Sequence, residues 1–166
     1  MKEGPFCGGY DLTGCCLTPP REEDAQVIAA QMVQMDPWRT LNYSAAALQS
    51  YILAPDPGLH RYAVRVDDAV SGVIAVRYPW LRGAYLELIG VFPDRQNQGL
   101  GAALLDWLER ETAARAANLW VLVSGFNHAA QRFYLRQGFH EIGAIDSLVS
   151  AGSAELLLRK VLRRLE

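Results

Sequence analysis

Nothing in this sequence favours a membrane, a nucleic acid or a disulfide scaffold. No apolar run reaches transmembrane length, and the opening residues lack the basic-then-apolar pattern of a signal peptide. Neither sign of charge dominates. Sixteen Lys plus Arg against eighteen Asp plus Glu leave a formal -2, too little for broad electrostatic binding to nucleic acid or anionic lipid. The basic residues Arg159, Lys160, Arg163 and Arg164 read as a solvated end. Cysteine is scarce: Cys7, Cys15 and Cys16 stand near the start, with none elsewhere. An odd number with an adjacent pair makes a poor disulfide framework and a poor zinc site, so a reducing, cytoplasmic setting is expected. His60, His128 and His140 show no metal-ligand spacing, and no metal is expected. Repeats and low-complexity tracts are also missing. A single domain over residues 1–166 remains, large enough to bury a core without staples.

Periodicity gives that domain an order. Residues 1–11 are glycine-rich and are expected to lie loosely on the surface or over an edge. Leu12–Leu17 reads as a short strand, Arg21–Gln34 as a helix with an acidic first turn, and Ser44–Ile52 as a helix capped by Ser44. His60–Val66, Ala69–Tyr78 and Ala84–Val91 form a β-meander, with Asp67-Asp68 as a tight link. A helix from Gly99 to about Ala116 follows, then a buried strand at Leu119–Val123 and a helix at Asn127–Gln137. Strands at Phe139–Ala144 and Ala154–Lys160 close the chain. This is an α/β fold with a mostly antiparallel sheet, and the strands flanking the Gly99 helix should be parallel.

The most informative segment is the turn Pro93-Asp94-Arg95-Gln96-Asn97-Gln98-Gly99-Leu100-Gly101 between an apolar strand and an amphipathic helix. The first amides of a helix have no intrahelical partner and point the same way. With the dipole they make an anion cradle, and Gly99 and Gly101 let the backbone approach it closely. The spacing fits neither the P-loop nor the dinucleotide fingerprint. An ordinary strand–turn–helix junction is the competing explanation. On the later helix, Asn127, Ala130, Tyr134 and Gln137 share a face. Ala130 leaves room there, Asn127 can read an amide, and Tyr134 places a phenol roughly 10 Å further along at 1.5 Å per residue. Taken singly, Asn127 reads first as a simple helix N-cap and Tyr134 as a half-buried core aromatic. Together they suit an extended acyl carrier.

These residues carry a resemblance. Gln96-Asn97-Gln98-Gly99-Leu100-Gly101, preceded by Val91-Phe92-Pro93, resembles the phosphate signature of the GNAT superfamily of N-acetyltransferases. Asn127, Ala130, Phe133, Tyr134, Gly138 and Phe139 match that superfamily's later signature. A fainter likeness, including Asp36-Pro37-Trp38, is to its ribosomal-protein alanine N-acetyltransferases. Those carry Glu-Val-Arg in the fifth strand, where this chain has Leu122-Val123-Ser124.

The resemblance implies a GNAT-like fold in which Ala84–Val91 and Leu119–Val123 splay into a V-shaped cleft, their unpaired edges completed by the carrier's amides, and acetyl-coenzyme A meets an amine directly. Its pyrophosphate would lie on the amides of Gln98, Gly99, Leu100, Gly101 and Ala102, with Gln96 ordering the turn. Its pantetheine arm would run between the strands ending at Val91 and Val123, beside Asn127 and Ala130. Amides near Ile89 and Gly90 would polarise the thioester carbonyl. An amine protonated at pH 7 must lose a proton before attack. Glu87 is the carboxylate expected to take it, an outward solvated glutamate being the alternative, and Tyr134 would protonate the departing thiolate. Trp38, Tyr43, Tyr78 and Trp80 would frame the acceptor's entry or simply pack the core. The partner expected is an amine, small molecule or peptide, with no nucleic acid or membrane; a homodimer is compatible. A non-catalytic acyl-coenzyme A sensor is the alternative function.

Overall fold

Period-two alternation of apolar residues between short turns sets the middle of the chain as a meander. In the computed structural model, which describes residues 4–162, β3 (Leu59–Val66), β4 (Ala69–Trp80) and β5 (Gly83–Val91) pair antiparallel. Asp67, Asp68, Leu81 and Arg82 all take positive φ, the backbone that lets two-residue links follow the strands' twist. Arg163 and Arg164 of the basic end lie outside the described residues.

The first segments differ from expectation. The single strand expected over Leu12–Leu17 is a hairpin, β1 (Tyr10–Leu12) and β2 (Cys15–Thr18), because Gly14 turns the chain at φ 85°. The glycine-rich start is tied down as well. Phe6 is buried among Tyr62, Trp107 and other core residues, and the Tyr62 hydroxyl donates to its carbonyl.

Helices α1 (Glu22–Met32) and α2 (Ala45–Leu53) follow their sequence signals. Ser44 Oγ accepts from the Ala47 amide at 3.1 Å. Buried Asp24 accepts from the Arg21 amide at 2.9 Å and from Arg65 at 2.7 Å, which fixes α1 to β3. The chain continues through α3 (Leu100–Ala113), β6 (Asn118–Ser124), α4 (His128–Arg136), β7 (His140–Asp146) and β8 (Ala154–Val161). The sheet order is β1-β2-β3-β4-β5-β6-β8-β7. Its β5–β6 pair is parallel, as a crossover helix requires, and the other pairs are antiparallel. The result is a single-domain α/β fold.

Alternation along the strands feeds two cores. Ile74 and Val76 pack with Leu104, Trp107 and Leu108 of α3, while Val73 and Ala75 pack with Ile28 and Met32 of α1 and Leu48 and Ile52 of α2. A bulge interrupts the β4–β5 ladder: Ala75 faces Leu88 but Val76 faces Leu86, leaving Glu87 as the extra residue. Leu86 therefore joins the core under α3 and Leu88 the core under α1 and α2. Bulges sharpen local twist and re-aim side chains. This one lies where the sheet opens.

Candidate active site

β5 and β6 are paired only from Gly83 with Asn118 to Leu86 with Val121. Beyond that point β5 stays with β4 and β6 stays with β8. The edge of Glu87–Val91 that faces β6 therefore keeps N–H and C=O groups without a strand partner. Here the cleft expected from the sequence is present, with a volume of about 730 Å³, ample for an organic cofactor. Tyr134, Glu87, Ile89, Gly90, Val91, Gln96, Gly99, Leu100, Gly101, Ala102, Asn127 and Ala130 all line it.

One end of the cleft is the amide cradle. Asn97 and Gly99 take φ 61° and 82°, a left-handed pattern that turns successive amides toward one side. Ala103 is the first amide returned to the helix, 3.1 Å from the Gly99 carbonyl. Among the described residues no protein acceptor receives the amides of residues 97–102. A Cβ on Gly99 would meet nothing within 4 Å, whereas one on Gly101 would lie 3.1 Å from the Phe133 ring. Gly99 thus keeps the cradle open and Gly101 lets α3 approach α4. The Gln96 side chain donates to the Val91 carbonyl at 2.9 Å, tying the turn to the end of β5. Gln98 does not face the cleft: its side chain donates back to the Asp94 carbonyl at 3.2 Å, leaving only its amide for a ligand. Arg95 and Arg136 also line the cleft. No spacing in the sequence singled them out.

Tyr134 lines the cleft from α4. Its ring packs against Phe133 and Phe139 at 5.3 and 5.5 Å, and no described residue hydrogen-bonds its hydroxyl. Burial, reinforced by Tyr85, pushes the phenol well above its ordinary value, so it keeps its proton throughout the neutral range. Asn127 lines the cleft and also caps α4, its Oδ1 accepting from the Ala130 amide at 3.2 Å. Gln137 ends that helix, its amide bonded to the Phe133 and Tyr134 carbonyls at 3.1 Å.

The far end is lined by tyrosines and carboxylates. Glu87 is half-buried and paired: Arg77 Nε donates to Oε1 at 2.8 Å, and the Tyr51 hydroxyl donates to Oε2 at 2.5 Å. Arg77 also reaches Asp56 at 3.2 Å. To accept a proton, Glu87 would have to give up part of this pairing. Trp38 and Tyr43 line the cleft as expected, but Tyr78 and Trp80 do not; Tyr78 packs on Phe6 at 5.7 Å, and Trp80 on Tyr85 at 4.9 Å. Tyr51, Tyr85 and Glu155, not foreseen from the sequence, complete the lining. Glu155 is buried and accepts from Ser124 Oγ at 2.9 Å.

Comparison with known proteins agrees with this fold. A family model described as the acetyltransferase (GNAT) family matches residues 22–139. No curated protein matches the sequence. Among solved structures, a GNAT-family protein from Desulfovibrio desulfuricans is 21% identical with a TM-score of 0.72, covering 90% of this chain and 98% of its own. A ribosomal-protein alanine N-acetyltransferase from Escherichia coli is also 21% identical, with a TM-score of 0.70 and coverage of 92% and 96%. Nourseothricin acetyltransferase is 28% identical with a TM-score of 0.59, over 67% of this chain and 69% of that one.

Proposed function

Because the chain belongs to the GNAT acetyltransferase family, we propose that it transfers an acetyl group from acetyl-coenzyme A to a primary amine, both bound at once in the β5–β6 cleft. The observation that carries this reading is the combination at one site of a ladder that ends at Leu86 and an open amide cradle over residues 97–102. When bound, acetyl-coenzyme A supplies an activated thioester. The cradle fits its phosphates, because amides and helix dipole together favour an anion. Arg95 and Arg136 add positive charge to the same cleft. The open edge of β5 at Ile89–Val91 suits an amide-bearing arm, which would complete the missing ladder. An amide on that open edge would hold the thioester oxygen.

Tyr134 acts as proton donor to the leaving sulfur. Its protonated phenol has no competing bond in the protein, and its cleft position suits that role. Asn127 orients the arm with the amide hydrogens its capping oxygen leaves over. Glu87 holds Tyr51 and Arg77 in place at the acceptor end. The names of two similar structures specify a protein alanine and nourseothricin as the groups acetylated, and a tyrosine-lined, carboxylate-bearing mouth suits such amines.

The test is release of coenzyme A thiol from acetyl-coenzyme A, followed with alanine amide, n-butylamine and spermidine as acceptors. Amine-dependent release supports transfer. Tight coenzyme binding with no release by any amine would favour an acyl-coenzyme A sensor.

A further inference from the structure

We infer that Glu155 is the carboxylate that receives the acceptor's ammonium group and takes its proton, so that the acceptor is a cationic amine; this rests on the transfer reading above.

The inference starts from register. β8 lies beside β6, with Ser124 opposite Glu155, Val123 opposite Leu156 and Leu122 opposite Leu157. Directly opposed residues share a face, and faces alternate along each strand. Val123 and Leu156 turn to the core under α3, so Ser124 and Glu155 turn to the opposite face, toward the cleft. β6 has no carboxylate at Leu122 or Ser124. Its neighbour delivers one to the same face.

Charge compensation then separates Glu155 from the other cleft carboxylates. Glu87 is paired with Arg77 at 2.8 Å and Asp36 with Arg39 at 3.0 Å. Glu155 is 5% exposed, and its bond partner is the neutral Ser124 hydroxyl. Among the described residues no cation forms an ion pair with it. A buried carboxylate without a cation is costly. The cost is recovered when a cation enters the cleft it faces. Tyr43 and Tyr85 line the same cleft as Glu155; burial raises both phenols, and the Glu155 charge adds to this for Tyr43 and, after that of Glu87, for Tyr85. A purely structural role is poorly served by this carboxylate, since β6 and β8 are already joined by their backbone ladder.

The step balances as follows. The ammonium nitrogen gives one proton to Glu155, and its lone pair forms the bond to the acetyl carbonyl carbon. The carbon–sulfur bond breaks with its electron pair on sulfur. A second nitrogen proton replaces the one that Tyr134 hands to that sulfur. Glu155 then releases its proton to solvent, so the products are the acetylated amine, coenzyme A thiol and one proton.

Glu155→Gln keeps the shape and an oxygen for Ser124. With n-butylamine or spermidine, which are cationic at neutral pH, its turnover should fall roughly 10²- to 10⁴-fold. With hydroxylamine, largely uncharged at that pH, it should stay within about threefold of the native chain, since no proton need be removed first. Acetyl-coenzyme A affinity by calorimetry should be unchanged, and the unliganded variant should melt higher, because an uncompensated buried charge has gone. Native turnover of the cationic amines by the variant would overturn the inference while leaving the transfer reading intact. Equal loss with both kinds of amine, together with a lower melting temperature, would also overturn it by showing a structural role. A native chain that binds no acetyl-coenzyme A would instead overturn the transfer reading, and this inference with it.

Discussion

Gly99→Ala isolates the cradle from everything else in the cleft. Gly99 has φ 82° and ψ 4°, and an L-residue held there costs roughly 1–2 kcal/mol. A Cβ at this position meets no protein atom within 4 Å, so no clash adds to that strain. For a domain of this size each kcal/mol lowers the melting temperature by about 2–4 °C, giving an expected drop of roughly 2–8 °C. Affinity should suffer more. A turn that relaxes from the strained conformation misdirects one or two amides, and a hydrogen bond to a charged group is worth about 1.5–3 kcal/mol. Acetyl-coenzyme A binding by calorimetry should weaken roughly ten- to a hundredfold. Gly152→Ala supplies the control, because Gly152 has φ 76° and an equally open Cβ position in the turn between β7 and β8. It should lose similar stability and no affinity. Native affinity in Gly99→Ala, or equal weakening in both variants, would refute the assignment of the cradle.

Two further substitutions divide roles within the cleft. Tyr134→Phe keeps the ring packed on Phe133 and Phe139 and should lower turnover roughly 10²- to 10⁴-fold with little change in acetyl-coenzyme A affinity; paired kinetics and calorimetry check this, and unchanged turnover would make the phenol a core aromatic only. Glu87→Gln should loosen the Tyr51–Arg77 frame, raising KM for the acceptor more than it lowers kcat; a fall in kcat that recovers as pH rises would make Glu87 the proton acceptor instead.

The cradle and α4 were legible because their signals are local. A strand, a polar glycine turn and a 3.6-residue period occupy neighbouring residues, and Ser44, Asp67-Asp68 and Asn127 act where their chemistry placed them. The parallel β5–β6 pair followed from the crossover helix between them, and its splay from the family resemblance. What escaped was set by register and long-range packing. The bulge at Glu87 depends on how β4 meets β5, and no single strand announces it. Glu155 reaches the cleft only because β8 inserts between β6 and β7, a nonlocal order that puts its carboxylate beside Ser124. Phe6 lies in a stretch whose glycines suggest a loose surface, yet its ring packs edge-on against Trp107 at 5.6 Å. Tyr78 and Trp80 belong to the right strand, but Tyr78 packs on Phe6, and Trp80 packs on the cleft residue Tyr85 without lining the cleft itself.

The central claim is that acetyl-coenzyme A binds across the gap where β5 leaves β6, its phosphates on the α3 amides. Titrating nitrogen-15-labelled protein with acetyl-coenzyme A and following backbone amide shifts tests it most directly. The largest shifts should fall on Gln98–Ala102 and Ile89–Val91, with smaller ones at Val123 and Asn127. Saturable shifts confined to another surface, or no shifts at millimolar coenzyme, would contradict it.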